Sequence, residues 1–426
     1  MRNTYSKRFI TAILCLCLLL SGCSGETAET ETATAPDGNA VMSIEPPAPS
    51  VEVDPNPLGT GEIIYENGMM PLETEQEDLL LDYMTRTYEA LARLEEADFS
   101  DLFTDPLKAR ASAATVAFQV GMRTMIDAVD YSLVNYHYAL ACQEISVQED
   151  GSVVISATIE STENFAQMPE VDARRNQLFH RLVLEQAEEG WKIRRHWQFD
   201  TLYSQLMRAA GSWEGDFAAD YIAAVPEYLE ILREQQTDRE TQRGQLIQLP
   251  TSDIPYDREA ALSYADQYAM SRNGEWMDYT GLGGNCQNYV SQCLLAGGIP
   301  MDTSGTAVWK WYDGNLSNTG GRAGRSSSWT GVASFRQYAS GNTGYGLVSL
   351  VDAPYFSGQP GDLIQMGDAD GWHHTVIIAD TVTDGAGDTV DYLIHSNTND
   401  MKNYPASLYG YPVFSLIRIA GWNQTA

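Results

Sequence analysis

Apolar residues recur along this chain in two rhythms, and the change between them divides it. Leu79, Leu80, Tyr83, Met84, Tyr88, Leu91 and Leu94 are spaced by three and four, which predicts an amphipathic helix. A second helical pattern covers residues 107–129. The rhythm then shortens to two. Residues 137–147 and the alternating Val153, Ile155, Ala157 and Ile159 flank Glu149, Asp150 and Gly151, and residues 178–185 and 191–199 flank Glu188, Glu189 and Gly190. Two helices followed by two hairpins predict a small α+β unit over 63–207, with an outline that element order alone compares to a cystatin. Its strand histidines, His137, His180 and His196, stand singly without metal spacing and read as structural. Residues 208–250 return to a helical but charged pattern, with a break expected at Pro226. On that helix Arg239, Gln242 and Arg243 are expected to face water.

Past Tyr256 the pattern becomes denser. Asp257 is placed to cap a helix whose apolar side holds Ala261, Tyr264, Ala265 and Tyr268. Gly283 and Gly284 precede, and Gly297 and Gly298 follow, a stretch whose Tyr289, Val290, Cys293 and Leu294 fall at helical spacing. Cys286 thus opens a short buried helix. Further on, Pro360 and Gly361 lead into a strand over 362–366 and a polar loop to Gly371. A second strand alternates His374, Val376 and Ile378 against His373, Thr375 and Ile377, and a third, 392–397, puts His395 and Asn397 on one face.

Composition narrows the classes. Across 426 residues, 43% are hydrophobic and 10% aromatic, enough for folded cores and against a mostly disordered chain. The 58 acidic residues outnumber 26 basic ones, giving a formal charge of −32, so nucleic acid is an unfavourable partner. At the start, Arg2, Lys7 and Arg8 precede an apolar run from Phe9 to Leu20, the layout of a secretory signal over 1–22. Leu20, Ser21, Gly22 and Cys23 resemble a bacterial lipobox. That resemblance implies acylation of Cys23 and a lipid anchor on the outer face of the cytoplasmic membrane. The Thr-, Glu- and Pro-rich residues 23–62 read as a tether.

Cys142, Cys286 and Cys293 remain in folded regions, an odd number for an exported protein. A helix separates the α-carbons of Cys286 and Cys293 by about 10.5 Å, beyond the roughly 7 Å limit for a disulfide. Cys293 reads as core. Cys286 meets unpaired amides and a dipole that favour thiolate and can receive an oxyanion. His374 or His373 supplies the candidate base, and Asn397 or His395 the group that orients it. Trp309, Trp311, Tyr312 and Trp329 form either a substrate wall or core packing. Asp362, Asp368 and Asp370 are too closely set for a calcium loop, and the histidines lack zinc spacing, so no metal or other cofactor is expected.

The run from Asn285 to Leu294, with Gly297, Gly298, Ile299 and Pro300, resembles the signature of the "Putative amidase domain" family, related to CHAP- and NlpC-like cell-wall hydrolases. Ser326–Trp329, Gly361–Ile364, the His374 strand and Asn397–Asp400 support the likeness. It implies a papain-like cysteine hydrolase domain over 251–426, with Cys286 as nucleophile and His374 as base. Asn285 and Gln287 then border the oxyanion, and Trp309 and Trp329 the substrate. The implied substrate is a peptide amide, most naturally in peptidoglycan. Two positions depart from the family pattern, which has Asp where Asn285 stands and His where Asn397 stands. A non-catalytic wall-peptide-binding protein and an acyltransferase are the alternatives on the same fold.

Overall fold

A computed structural model describes residues 57–211, 218–304 and 307–425; the signal, Cys23 and most of the tether lie outside them. The chain is α+β. Its strands are β1 (Thr60–Tyr65), β2 (Leu133–Val147), β3 (Val153–Phe165), β4 (Ala173–Ala187), β5 (Gly190–Phe199), β6 (Ile254–Pro255), β7 (Gly346–Ala353), β8 (Leu363–Asp368), β9 (Gly371–Thr383), β10 (Thr389–Ser396), β11 (Met401–Pro405) and β12 (Val413–Asn423). The helices are α1 (Thr74–Arg93), α2 (Pro106–Arg123), α3 (Thr201–Ala209), α4 (Ala218–Glu240), α5 (Arg258–Tyr268), α6 (Cys286–Ala296), α7 (Ser327–Thr330) and α8 (Val332–Gly341). Among the described residues no helix is long and apolar enough to cross a membrane.

Among the described residues all twelve strands join one sheet, in the order β1-β2-β3-β4-β11-β10-β9-β8-β12-β6, with β5 beside β4 and β7 beside β12. The two halves meet where Met401 and Lys402 of β11 pair with Arg175 and Arg174 of β4. Behind this junction Glu163 is fully buried between Arg123, at 2.6 Å, and Arg175. Burial alone would protonate this carboxyl, but the two guanidiniums hold it below the usual range. Tyr131 donates to Asp391 across the halves at 2.7 Å.

Alternation along β9 sorts its side chains between two cores. Val376 and Ile378 join Ile364, Met366, Tyr392 and Ile394 in a core that continues into the N-terminal half. Ile377 joins Leu363, Ile417 and Ile419 under α6, with Val290, Cys293, Trp309 and Trp329.

Three local readings differ from the sequence expectation. Strand β1 begins inside the stretch read as tether, because its backbone finds a parallel partner in β2. Helix α4 runs through Pro226 without ending. Its C-terminal side is not solvated. Arg239 is buried over Phe414 at 4.7 Å, and Arg243 lies over Phe356 at 3.8 Å. Gln242 accepts the Tyr355 amide at 3.0 Å. Planar guanidiniums cover aromatic faces at low cost, which a polarity pattern cannot register.

Candidate active site

Two glycines deliver the chain to α6. Gly283 and Gly284 adopt φ of 109° and 121°, a region that disfavours any residue with a β-carbon. Asn285 follows, buried, and does not cap the helix with its side chain. Its Oδ1 instead accepts from the Tyr279 amide at 3.1 Å and from Asn288 at 2.8 Å, while its Nδ2 donates to Asn397 Oδ1 at 2.7 Å. Asn397 Nδ2 in turn donates to the carbonyls of Tyr268 and Ala269, each at 3.0 Å. Beside it Thr398 holds φ of 117°, a strained value for a β-branched residue. Its hydroxyl receives the Asn285 amide at 2.6 Å, and its own amide reaches Asp400 at 3.0 Å. These bonds clasp the start of α6 to the end of β10.

Cys286, 6% exposed, is the first residue of the helix. The backbone amides of Thr375, Gln287 and Cys286 itself lie near its sulfur and favour the thiolate. The pairing of β9 with β10 stops at Ile377 and His395, which leaves the Thr375 amide free to turn to the sulfur. Burial nevertheless outweighs the three amides and raises the thiol pKa.

His374, also 6% exposed, precedes that amide. Its Nε2 lies 2.7 Å from the Tyr409 hydroxyl and 2.8 Å from Ser396 Oγ, and those two oxygens are 3.2 Å apart. Nδ1 has no hydrogen-bond partner among the described residues. The rings of Tyr409 and Tyr411 lie 4.7 and 6.4 Å from the imidazole. Both tyrosines are also close enough to Cys286 for a thiolate to raise their pKa values. Thiol and imidazole thus both lie near Tyr409 and Tyr411. Burial pushes His374 down to about 3.

Neither Asn397 nor His395 bonds to His374. Strand alternation sends Ser396 to the His374 side of the sheet and its two neighbours to the helix side. There His395 accepts the Asn403 amide at 3.2 Å and lies 3.7 Å from Asp266. The Gln287 side chain is sealed between Thr375 Oγ1, at 2.9 Å, and Ser291, so only its backbone faces the sulfur. Trp309 and Trp329 are fully buried, with ring centroids 4.7 Å apart and planes tilted by 31°, and support α6 through Ser291 and Asn288. Fully enclosed, they offer no surface to a ligand. His373 is turned outward to Asp368 at 2.7 Å. Cys142, Cys286 and Cys293 are free thiols, and no metal-binding cluster occurs among the described residues. Ser396, Thr375 and Tyr409 escaped the sequence reading. The first two adjoin singled-out residues, but Tyr409 lies in a short 3-10 turn with no local signal.

The family model described as "Putative amidase domain" matches residues 255–414, which include the α6 start, β9 and β10. The match supports the amidase domain family. It points to amide hydrolysis as the chemistry of this half and leaves the N-terminal half outside. The Uncharacterized protein YhbB of Bacillus subtilis (strain 168) is 32% identical over 127 residues, 29% of this chain and 37% of that protein. The chain thus spans little more than a third of that relative's length. No solved structure matches.

Proposed function

We propose that this half is a papain-like cysteine hydrolase of amide bonds, with Cys286 as nucleophile and His374 as general base. One observation carries the reading: a sulfur at a helix start, with three backbone amides nearby, lies close to the same two tyrosines as an imidazole whose Nδ1 is uncommitted. The Cys286 proton passes to Nδ1 as the sulfur attacks the carbonyl carbon. The amides of Cys286 and Gln287 receive the oxyanion. The C–N bond then breaks, the departing amine takes the proton from His374, and water hydrolyses the thioester with His374 as base. For this, Nε2 must hold a hydrogen, and the Ser396 and Tyr409 hydroxyls can accept it.

The substrate class follows from the location that the N-terminal residues suggest. A chain anchored through Cys23 outside the cytoplasmic membrane meets peptidoglycan, whose stem peptides and muramoyl–alanine link are amides. The pocket is closed as described, since Tyr409 and Tyr411 lie over the imidazole. Substrate entry requires the 406–411 segment to yield.

A non-catalytic wall-peptide-binding reading draws on the same burial, which holds thiol and imidazole neutral. Cys286→Ala separates the two. The substituted protein is expected to release no peptide from purified cell wall and to lose iodoacetamide incorporation at that position. Cleavage that survives the substitution ends the cysteine mechanism, and wall binding without cleavage in the unaltered chain favours the alternative.

A further inference from the structure

A second cavity lies in the N-terminal half, outside the segment that matches the amidase family. Its volume is about 70 Å³, and it opens between α1, α2, α4 and strand β5. Among the described residues, none of those lining it is Asp or Glu, although 58 residues of the chain are acidic. Two of them, Lys108 and Arg195, are cationic. Arg195 makes no ion pair among the described residues and rests over Trp197 at 5.2 Å. Lys108 is 3.5 Å from Asp105, a loose contact.

The inner wall carries a polar chain that an apolar core would not contain. Ser112 lies beside the Tyr83 hydroxyl. Tyr83 OH lies 2.8 Å from His196 Nδ1, and His196 Nε2 lies 2.8 Å from His180 Nδ1. With both imidazoles neutral, every hydrogen points the same way: Tyr83 donates to His196, which donates to His180. Burial favours that neutral state, pushing His196 down to about 3 and His180 well below its ordinary value. His180 and His196 are therefore one bonded pair, not the isolated structural histidines that their sequence spacing suggests. Tyr203, largely buried, also lines the cavity.

We infer that this cavity binds a small aromatic monocarboxylate. The carboxylate meets Arg195 and Lys108 at the mouth, the ring lies among Tyr83, Phe103 and Tyr221, and a polar substituent reaches Tyr203. Aromatic walls with a few convergent polar groups are the usual make-up of small-molecule sites. The cationic Lys108 and Arg195 at the mouth favour an anion over a cation. The inference is independent of the chemistry proposed at Cys286.

The test titrates the full chain with benzoate and with benzamide, its uncharged counterpart, by ligand-observed NMR. Benzoate is expected to bind with a Kd on the order of 1 mM and at least about tenfold more tightly than benzamide. In the Lys108→Gln/Arg195→Gln double variant the preference disappears. Ala111→Trp, which fills the cavity, abolishes both interactions while the thermal unfolding profile shows a folded chain. Equal affinity for the two probes overturns the inference, as does absence of benzoate saturation to about 10 mM. Benzoate binding that persists in Ala111→Trp places the probe elsewhere and overturns it equally.

Discussion

His374 is oriented by two hydroxyls, not by an amide or a second imidazole, and this choice has a chemical consequence. A hydroxyl accepts from Nε2–H as an asparagine oxygen does, but it also donates, so it tolerates either tautomer of the ring. It carries no charge to stabilise an imidazolium. The ring therefore stays a weak base while the pocket is closed, in line with its depressed pKa. Removing both partners leaves the Nε2 hydrogen buried without an acceptor, a loss of about 1–3 kcal/mol. Tyr409→Phe/Ser396→Ala is thus expected to lower kcat by roughly tenfold to a hundredfold with little change in KM. Either single substitution, which keeps one oxygen, does much less. A double variant that raises KM and spares kcat assigns these hydroxyls to substrate contact.

The start of α6 and the end of β10 form one device, and the device explains the two departures from the amidase pattern. Asn285 and Asn397, read separately along the chain, are bonding partners. A carboxylate at 285 meets Asn397 Oδ1, and that amide cannot turn over because its nitrogen is committed to the carbonyls of Tyr268 and Ala269. Asn285→Asp is therefore expected to destabilise the chain by about 1–3 kcal/mol, read as a lowered Tm. An unchanged Tm shows that the clasp is dispensable. The same region shows what was legible in the sequence and why. Glycines on either side of 285–296 bounded α6 correctly, because left-handed backbone is a local demand. Alternation put His395 and Asn397 together on one face, again a local property. Which face meets His374 depends on the register of β10 against β9, and that register is set by distant packing. The Tyr409 contact is farther still from any local signal, and the partners of Arg239 and Arg243 are non-local in the same way.

At the scale of the whole molecule, one sheet and one continuous core run through both halves, so the halves share their stability. The N-terminal half also bears on the candidate site. Tyr228 of α4 donates to the Gly410 carbonyl at 3.0 Å, and Arg208 of α3 bonds Asp368 at 2.5 Å, both beside the turn that carries Tyr409. Imidazoles with depressed pKa values stand on either side of the β4–β11 junction. His374 and His196 are pushed down to about 3 and His395 to about 4. Unfolded, each binds a proton near pH 6.5 that the folded chain refuses until these lower values. The unfolded state therefore holds more protons across that window, and stability falls as pH drops through it. Asp200, Asp391 and Asp400, whose pKa values burial raises, act in the opposite direction. A comparison of variants removes that background. Relative to His374→Gln, the unaltered chain is expected to lose up to about 1.4 kcal/mol for each pH unit between roughly 6.5 and 4, with one unfolding transition for both halves. Denaturant melts across this range provide the measurement. Parallel pH profiles for the two proteins mean that His374 is solvated and protonates freely in the folded chain, which also removes the closed pocket.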